Sequence, residues 1–284
     1  MKRILLAGAT GYLGKYILNE LQKRNVGVRA IVRNPAKLES INLDIVDVFE
    51  AEITQAHTLE NCCDNIETVI STVGITRQKD GLTYMDVDYQ ANMNLLREAQ
   101  KRGVRKFVYV SVLNGGELKN LKICEAKERF VEELKTSGLD YCIIRPNGFF
   151  SDMTDFYKMA KKGSVYLFGT GNLKMNPIHG EDLAKVCTDA IGSVESEINI
   201  GGPEILSHNK IASIAFSALN KKEKISHFPD WTRKFTIWFM RVFTSPKTYG
   251  PIEFFLSVMG TDMIAPKYGS KSLSNYFQNI NKQM

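Results

Sequence analysis

The sequence of 284 residues has little of several features that mark specialised classes of protein. Only 8 prolines and 21 glycines are present, which excludes collagen-like and low-complexity chains. The five cysteines include no CxxC pair, and the four histidines lack metal-ligand spacing. The sequence therefore predicts neither a disulfide framework nor a metal site, and it favours a reducing, cytoplasmic location. No run of about 18 apolar residues occurs, so no membrane-spanning segment is expected.

A strong excess of one charge is also missing. Lys plus Arg total 37 and Asp plus Glu total 31, a net charge of +6. This excess fits an anionic small ligand, an anionic membrane surface or nucleic acid. No recognition-helix motif and no basic stripe accompany it, so nucleic acid is not expected as a partner. The hydrophobic content of 44% is typical of an ordinary globular chain.

Short apolar runs alternate with stretches of helical periodicity over the first half of the chain. The runs are nearly continuous, which is typical of strands covered by helices on both faces. We therefore predict an α/β fold with a Rossmann-type, doubly wound parallel sheet. The predicted strands are 3–8, 27–33, 43–49, 67–73, 105–112, 140–145 and 195–200, and the predicted helices include 12–24, 58–65, 85–102, 125–137 and 178–192.

Residues 8–14 (GATGYLG) stand directly after the first predicted strand and open the first predicted helix. Gly8 permits a tight turn, Gly11 lets the backbone approach a pyrophosphate, and Gly14 lets the helix pack closely on the strand. The helix N-terminus adds N–H donors and a partial positive charge. A glycine turn that binds no ligand is the alternative. The segment predicts a dinucleotide site with contacts from Gly8, Thr10, Gly11, Tyr12, Leu13 and Gly14.

The end of the second predicted strand carries a base, where an acid would bind the ribose 2′-OH of NAD. Arg33 stands there, and Lys37 follows. A guanidinium pairs with a 2′-phosphate through two hydrogen bonds and stacks on adenine, so we predict NADP (NADPH) as the preferred cofactor. NAD bound through backbone contacts, with Arg33 solvated, is the alternative.

Several motifs follow the glycine loop, namely DYQAN at 88–92, GVRKFV at 103–108, RPNG at 145–148 and PIHGEDLA at 177–184. With the loop, this pattern resembles the atypical short-chain dehydrogenase/reductases of the NmrA-like, NAD(P)H-binding group, over roughly residues 1–200. The resemblance implies further cofactor contacts at the carboxyl ends of the strands, where open α/β sheets bind ligands. They are Glu52, Ile53, Thr72, Val73, Gly74, Ser111, Lys127, Pro146 and Asn147.

The chain departs from that family at its acid–base pair. Typical members carry Tyr-x-x-x-Lys; here Lys127 keeps the lysine position, but Ile123 replaces the tyrosine and cannot transfer a proton. Lys127 is expected to anchor the nicotinamide ribose; direct proton transfer by Lys127, if burial lowers its pKa, and a merely solvated lysine are the alternatives. Lys127 and Ser111 are the catalytic candidates. Tyr109 and Tyr89 are other sources of a hydroxyl.

The alternation of strands and helices weakens after residue 146. We predict a dinucleotide-binding Rossmann core in 1–146, to which 176–200 returns. A smaller, mostly helical C-terminal lobe is predicted from 147–175 and 201–284, and we expect it to bind the substrate.

The segment 231–243 (WTRKFTIWFMRVF) has an aromatic face at helical spacing, with basic residues beside it. We expect this face to pack in the interior of the lobe or to cover a substrate pocket. Contact with a second copy in an oligomer and peripheral contact with a membrane are the alternatives, since Trp, Phe, Lys and Arg also suit a lipid interface.

Together these features predict an NAD(P)-binding protein. The main hypothesis is an NADP-dependent oxidoreductase that transfers hydride to a small, apolar carbonyl, enone or quinone-like substrate. A non-catalytic dinucleotide-binding regulator or assembly factor is one alternative, favoured by the missing tyrosine. An epimerase or dehydratase with tightly bound NAD is another.

Overall fold

The computed structural model describes residues 3–38, 46–76, 78 and 81–283. It contains a seven-stranded parallel sheet with flanking helices, which confirms the predicted α/β, Rossmann-type fold. Part of the predicted strand 43–49 lies outside the described residues. The strands are β1 (Arg3–Ala7), β2 (Gly27–Val32), β3 (Val46–Glu50), β4 (Thr68–Ser71), β5 (Lys106–Val110), β6 (Asp140–Pro146), β7 (Val165–Phe168), β8 (Lys174–Met175), β9 (Glu197–Ile200), β10 (Leu206–Ser207) and β11 (Ile225–Phe228). The helices are α1 (Tyr12–Lys23), α2 (Asn92–Lys101), α3 (Lys122–Lys135), α4 (Thr154–Lys161), α5 (Gly180–Asp189), α6 (His208–Ala218), α7 (Asp230–Phe243), α8 (Pro246–Val258) and α9 (Leu273–Gln283).

The strand order of the large sheet is β3-β2-β1-β4-β5-β6-β9, so the order reverses between β1 and β4. Every pairing from β3 across to β6 is parallel, and Ala7 of β1 lies opposite Ser71 of β4. Because these strands run the same way, their carboxyl ends share one edge of the sheet. The point of reversal at that edge is where open α/β sheets bind ligands.

Apolar side chains from the strands and from two helices form one core. Each fully buried side chain of this size contributes about 2 kcal/mol of transfer free energy. The rings of Phe107 and Phe130 have centroids 5.8 Å apart, which joins β5 to α3. Fully buried members of the core include Leu5, Val69, Leu95, Phe107, Phe130 and Ile143.

The chain divides into two compact units. Unit 1 comprises Met1–Arg145 and Leu183–Ile198, and unit 2 comprises Pro146–Asp182 and Asn199–Met284. One segment, Leu183–Ile198, returns to unit 1. The assignment of cofactor binding to one part of the chain and of substrate binding to the other stays a prediction.

Local structure differs from prediction in two places. The predicted helix 58–65 is a short 3-10 turn, Ala56–Leu59, because Asn61 and Asn65 adopt left-handed φ angles of 67° and 59° that an α-helix cannot contain. Unit 2 also holds short strands that its largely helical pattern did not predict. β7 pairs with β11 in parallel and β8 with β10 antiparallel. Strands of two to four residues are too short to show an alternating pattern.

The aromatic segment 231–243 forms α7, as its periodicity predicts, but the expected burial of its aromatic face is wrong. Trp231 is 65% exposed and Phe243 is 64% exposed. The buried side of α7 carries Arg233, whose guanidinium donates to Asp230 Oδ1 at 2.7 Å and to the Leu256 carbonyl at 3.1 Å. Periodicity identifies the two sides of an amphipathic helix without saying which one faces the interior.

In the described part of the chain, no helix is both long enough and apolar enough to cross a bilayer. The α7 helix, at 14 residues, falls short of the roughly 20 that a span requires.

Candidate functional site

The predicted cofactor residues of unit 1 follow the carboxyl ends of successive strands. Gly8 follows β1, Arg33 follows β2, Glu52 lies two residues beyond β3, Thr72 follows β4 and Ser111 follows β5. Since parallel strands end at the same edge, these positions lie along one edge of the sheet, on both sides of the reversal between β1 and β4.

The loop after β1 needs glycine at two positions for internal reasons. Gly8 has a φ of +85°, a left-handed conformation that favours glycine, and a Cβ there would collide with Thr72 Oγ1. A Cβ on Gly14 would lie 2.8 Å from the carbonyl carbon of Gly8, so α1 packs closely on the loop. The Gly11 N–H closes the turn by donating to the Gly8 carbonyl at 2.9 Å.

Gly11 has a different explanation, because internal packing does not require it. A Cβ there would meet the Gly8 carbonyl oxygen at 3.2 Å, and the residue is exposed. Gly11 is also the N-cap of α1 and offers no side-chain acceptor to the first-turn N–H groups. A helix end of this kind favours an anion. The loop therefore fits a pyrophosphate that approaches the backbone at Gly11.

The segment after β4 is fixed by hydrogen bonds to β1 and α2. Thr72 Oγ1 donates to the Ala7 carbonyl at 3.2 Å. Ser71 Oγ donates to Asn92 Oδ1 at 2.6 Å and accepts the Val73 N–H at 3.3 Å. The Asn92 amide donates in turn to the Val73 carbonyl at 3.3 Å. These bonds hold the predicted cofactor segment in a single conformation.

The bases after β2 are accessible to solvent. Arg33 and Lys37 are both exposed, and the Arg33 side chain retains 62% exposure. Arg33 Nη1 lies 3.7 Å from Glu52 Oε2, a loose pair worth less than about 1 kcal/mol. Ile53, next to Glu52, packs against the apolar core. The guanidinium therefore has donors to offer a second anion, with Glu52 as a competing acid.

Lys127 of α3 lies in a tight cluster with two other residues. Its Nζ lies 2.8 Å from Oδ1 of Asp88, which is fully buried, while the Lys127 side chain keeps 12% exposure. The second carboxylate oxygen of Asp88 accepts the Ile75 N–H at 3.2 Å. A Cβ on Gly74 would lie 2.5 Å from Asp88 Oδ1 and 2.7 Å from Lys127 Nζ. The structure thus brings together Gly74 and Lys127, two residues that the sequence analysis selected separately.

The electrostatics of this cluster favour one of the hypotheses for Lys127, the anchoring of a ribose by a cation. Burial alone would lower its pKa, as direct proton transfer requires, but the Asp88 carboxylate and Tyr109 outweigh burial and raise the pKa of Lys127 above its ordinary value. Burial raises the pKa of Asp88, although Lys127 opposes this. The raised pKa favours the protonated form of Lys127, which donates hydrogen bonds. Lys127 is also not a solvated surface lysine, because most of its side chain is buried.

The sequence suggested Tyr109 and Tyr89 as sources of a hydroxyl in place of Ile123. Ile123 is buried, one helical turn before Lys127. Tyr109 lies beside Lys127, with 5.6 Å from Nζ to its ring centroid, but it is fully buried, and burial raises its pKa to about 12. Tyr89 donates its hydroxyl to Glu133 at 3.2 Å. Tyr109 therefore lies beside Lys127, but its raised pKa makes its hydroxyl a weak acid.

Ser111 belongs to a buried ion-pair network. Its Oγ donates to Glu128 Oε1 at 3.1 Å, and Arg145 Nη2 donates to Glu128 Oε2 at 2.8 Å. Arg145 Nε also donates to Glu197. The network joins β5, α3, β6 and β9, and it gives the Ser111 hydroxyl a structural explanation. The catalytic role of Ser111 stays a prediction.

Pro146 and Asn147 belong to unit 2, where the Asn147 amide is fully engaged. Its Nδ2 donates to Asn176 Oδ1 at 2.8 Å and to the Met263 carbonyl at 2.6 Å, and its Oδ1 accepts the Gly148 N–H at 2.7 Å. These bonds hold unit 2 together and account for the amide. The predicted nicotinamide contact at Pro146 and Asn147 stays a prediction.

Asp88 is a site residue that the sequence reasoning missed. It lies in a π-helical segment, Met85–Ala91, that runs directly into α2. Such segments are rare and are frequent at functional sites. The sequence did contain a signal for Asp88, because helical spacing places this acid on the side that faces the core. A buried carboxylate requires a partner, so its position pointed to a nearby cation or donor.

Metal and thiol chemistry find no support in the described part of the chain. Its His, Cys, Asp and Glu residues form no group of three or more that could hold a metal ion. Cys124 lies on α3 near Lys127, but burial raises the pKa of its thiol to about 12. A thiol of that pKa is not an activated nucleophile.

The chain matches the family model described as NAD(P)H-binding over residues 8–193. It is 26% identical to the chloroplastic divinyl chlorophyllide a 8-vinyl-reductase of Cucumis sativus, over 98% of this chain and 75% of that protein. It is 28% identical to the photosystem II assembly factor Ycf39 of Synechocystis, over 66% of this chain but only 58% of that protein.

A solved structure has a similar fold across almost the whole chain. It is the NADPH-dependent quinone oxidoreductase QOR2 of Escherichia coli complexed with NADPH, at 17% identity, a TM-score of 0.75, and coverage of 98% of this chain and 99% of that one. The family match spans more than half of the sequence and includes the glycine loop, the Gly74–Asp88–Lys127 cluster and the strand ends described above. The chain therefore belongs to the NAD(P)H-binding, NmrA-like group of atypical short-chain dehydrogenase/reductases.

Proposed function

We propose that this protein is an NADPH-dependent reductase of a small, apolar substrate with a polarisable double bond. The observation that carries the proposal is the Gly74–Asp88–Lys127 cluster in the same unit and at the same sheet edge as the glycine loop. A protonated Lys127 at that edge is able to donate a hydrogen bond to a ribose hydroxyl or to polarise a substrate oxygen.

Different residues of unit 1 bind different parts of the dinucleotide. The backbone at Gly11 and the N-terminus of α1 receive the pyrophosphate, and the segment Thr72–Gly74 lines the cofactor. Lys127 donates to the nicotinamide ribose, and Asp88 holds Lys127 in place. When bound, NADPH supplies the hydride. With Ile123 in the tyrosine position and Lys127 held as a cation by Asp88, the proton for the substrate comes from solvent.

The preference for NADPH over NADH rests on Arg33 and Lys37. Both are exposed after β2, and the pair between Arg33 and Glu52 is loose at 3.7 Å. A 2′-phosphate carries more charge than Glu52 and accepts two guanidinium hydrogen bonds. Arg33 would therefore turn from Glu52 to a bound 2′-phosphate, whereas the 2′-OH of NADH would not compete with Glu52.

The substrate class is inferred from the names of similar proteins. One is an NADPH-dependent quinone oxidoreductase and another is a divinyl chlorophyllide a 8-vinyl-reductase. We propose an enone, a quinone or a conjugated vinyl group as the acceptor of the hydride.

A second candidate function is a non-catalytic, dinucleotide-binding assembly factor. Two observations favour it: Ile123 replaces the proton-transferring tyrosine, and the chain is similar to a photosystem II assembly factor. In this case Lys127 and Asp88 hold the dinucleotide in place and no hydride leaves it.

One experiment separates the candidates. Calorimetry measures the affinity for NADPH, and the absorbance of the reduced nicotinamide measures its oxidation across a panel of quinones, enones and vinyl-substituted aromatics. Binding with oxidation of NADPH by a panel member supports the reductase. Binding without oxidation across the panel supports the assembly factor. NAD that stays with the purified protein and does not exchange with NADPH contradicts both and favours an epimerase or dehydratase.

A further inference from the structure

Helices α7 and α8 of unit 2 carry an exposed apolar surface that takes no part in the proposed reductase function. Rings along it touch one another at the surface, with centroid distances of 5.7 Å between Phe235 and Trp238 and 4.6 Å between Phe239 and Phe243. Contiguous exposed rings are uncommon on soluble proteins and mark interaction sites. This aromatic face consists of Trp231, Phe235, Trp238, Phe239, Val242 and Phe243, all exposed.

The polarity of these helices is inverted relative to a helix that covers a core. The charged side chains of Arg233 and Glu253 are buried, Arg233 against Asp230 and the Leu256 carbonyl, and Glu253 against Arg241. The rings on the opposite side of α7 lie in solvent. Burying charged groups and exposing aromatic rings both raise the free energy of the folded protein in water, relative to a helix with its rings inside. The aromatic face is therefore better suited to contact with an apolar environment.

The exposed charges of the same two helices are mostly positive. All of 230–258 lies in the described part of the chain, and its exposed cations are Lys234, Arg241 and Lys247, against one partly exposed carboxylate, that of Asp230, which lies 3.6 Å from Lys234. Lys234 and Arg241 are seven residues apart, so they lie on the same side of α7, along one border of the aromatic face. The surface therefore joins an apolar face to a positive border.

We propose that the aromatic face docks on the surface of a bilayer that contains anionic lipids, with α7 lying in the interfacial plane. Trp and Phe enter the boundary between headgroups and acyl chains, and Lys and Arg reach the anionic headgroups. A helix of 14 residues is about 21 Å long, which suits lying on a bilayer rather than crossing it. The overall charge of +6 adds attraction of the same sign.

A second copy of the chain fits this surface less well. In a two-fold symmetric contact the same surface meets itself, so the aromatic face of each copy would bring Lys234, Arg241 and Lys247 towards the same cations of its partner. The one carboxylate that α7 and α8 leave partly exposed is that of Asp230, which already pairs with Arg233 and Lys234. Like charges across an interface are unfavourable, whereas anionic lipid supplies charge of the opposite sign.

Tryptophan fluorescence gives a direct test, because the chain has only two tryptophans and both lie on this face. Full-length protein is mixed with vesicles of phosphatidylglycerol and phosphatidylcholine in equal parts, or of phosphatidylcholine alone. The expected result is co-sedimentation with the anionic vesicles, together with a shift of the emission of Trp231 and Trp238 to shorter wavelength. High salt should weaken the binding, because the cations are exposed.

Two variants of the face separate its apolar and charged parts. F235S/F239S removes two exposed rings and leaves both tryptophans, and should weaken vesicle binding more than about tenfold. K234Q/K247Q should weaken binding about fivefold for each cation removed. The matched controls are K162Q/K222Q, two exposed lysines of unit 2 outside these helices, and Val194→Ser, an exposed apolar residue of unit 1. Both should bind vesicles as the wild type does.

Three results would overturn the proposal. The first is no co-sedimentation and no emission shift with anionic vesicles. The second is equal binding to phosphatidylcholine alone. The third is a stable dimer in sedimentation equilibrium that F235S/F239S dissociates, which would assign the face to a second copy. NADPH affinity and thermal unfolding, measured on every variant, verify that the chain is folded and that lost binding has a local cause.

Discussion

Lys127 Nζ and Asp88 Oδ1 lie 2.8 Å apart in unit 1, with the carboxylate fully buried. The pair joins α3 to the π-helical segment before α2, and Gly74 leaves it no room for a third side chain. The charge of Lys127 at the sheet edge therefore depends on Asp88. In this view Asp88 is a positioning residue and Lys127 is the group that meets the ligand.

Replacing Asp88 by Asn is expected to move the alkaline limit of function to lower pH. Asp88 raises the pKa of Lys127, so without its charge the ammonium loses its proton at lower pH. The pH profile of NADPH oxidation or affinity measures this shift. Loss of one partner of the pair should also cost about 3 kcal/mol of stability. Asp86→Asn, an exposed acid in the same segment, is the control and should leave the profile unchanged. An unshifted profile in Asp88→Asn contradicts the positioning role.

Gly74→Ala is expected to harm function more than stability. The added methyl group would lie 2.5 Å from Asp88 Oδ1 and 2.7 Å from Lys127 Nζ, and the flexible lysine would move away. We expect NADPH affinity or turnover to fall about tenfold or more, while the free energy of unfolding falls by about 1–3 kcal/mol. Gly116→Ala is the control, since a Cβ there meets nothing within 4 Å. Equal effects of the two substitutions would remove Gly74 from the site.

The glycine loop predicts opposite outcomes for two of its glycines. Gly14→Ala forces a Cβ to 2.8 Å from the Gly8 carbonyl carbon, and even closer to its oxygen, so α1 must shift and the protein should be destabilised by a few kcal/mol. Gly11→Ala places its methyl group 3.2 Å from the Gly8 carbonyl oxygen, a milder contact that should cost less stability than Gly14→Ala. It should lose NADPH affinity, because the methyl group stands where the pyrophosphate approaches. Thermal unfolding and calorimetry measure the two effects. A Gly11→Ala protein with normal affinity would leave the loop without its proposed ligand.

Arg33→Ala is expected to reduce NADPH affinity about tenfold or more and to leave NADH affinity nearly unchanged, because only NADPH carries the 2′-phosphate. Arg105→Ala is a closely matched control. Its side chain is 57% exposed and its Nη2 lies 3.4 Å from Glu67, but it precedes β5 at the opposite edge of the sheet. Both cofactors should bind Arg105→Ala as they bind the wild type. Equal losses of NADPH and NADH affinity in Arg33→Ala would contradict the proposed preference.

Much of unit 1 could be predicted from sequence because its signals are local. The buried strands are short apolar runs, and the glycine loop is a contiguous motif, so a doubly wound parallel sheet and its ligand-binding edge follow from general rules. The pairing of Asp88 with Lys127 could not be predicted, because it depends on a π-helical segment and on two residues far apart in the chain. The position of Ser111 after β5 makes it a candidate cofactor contact, but the sequence does not reveal its hydrogen bond to Glu128.

Unit 2 was harder to predict for a physical reason. The pattern of α7 shows two faces but not which one is buried, and the inward position of Arg233 depends on Asp230 and on the Leu256 carbonyl of α8. The aromatic face was therefore assigned to the interior, where aromatic side chains usually lie. The small strands of unit 2 depend on partners elsewhere in the chain, such as β7 with β11.

His208 is expected to make unit 2 sensitive to mild acid. Burial lowers its pKa to about 4, and its position as the first residue of α6 also disfavours a positive charge. The unfolded chain takes up the proton near pH 6.5, whereas the folded protein does so only near pH 4. The corresponding stability is thus fully present above about pH 6.5 and is lost as the pH falls towards 4.

A shift of this size corresponds to about 3 kcal/mol of unfolding free energy across that pH window. Urea denaturation at a series of pH values measures it. His208→Gln cannot take up the proton, so its stability should fall less steeply between about pH 6.5 and pH 4, by about that amount. His57→Gln, at an exposed histidine of unit 1, should keep the slope of the wild type. If wild type and His208→Gln lose stability in parallel, the acid sensitivity has another source and the buried, neutral state of His208 is contradicted.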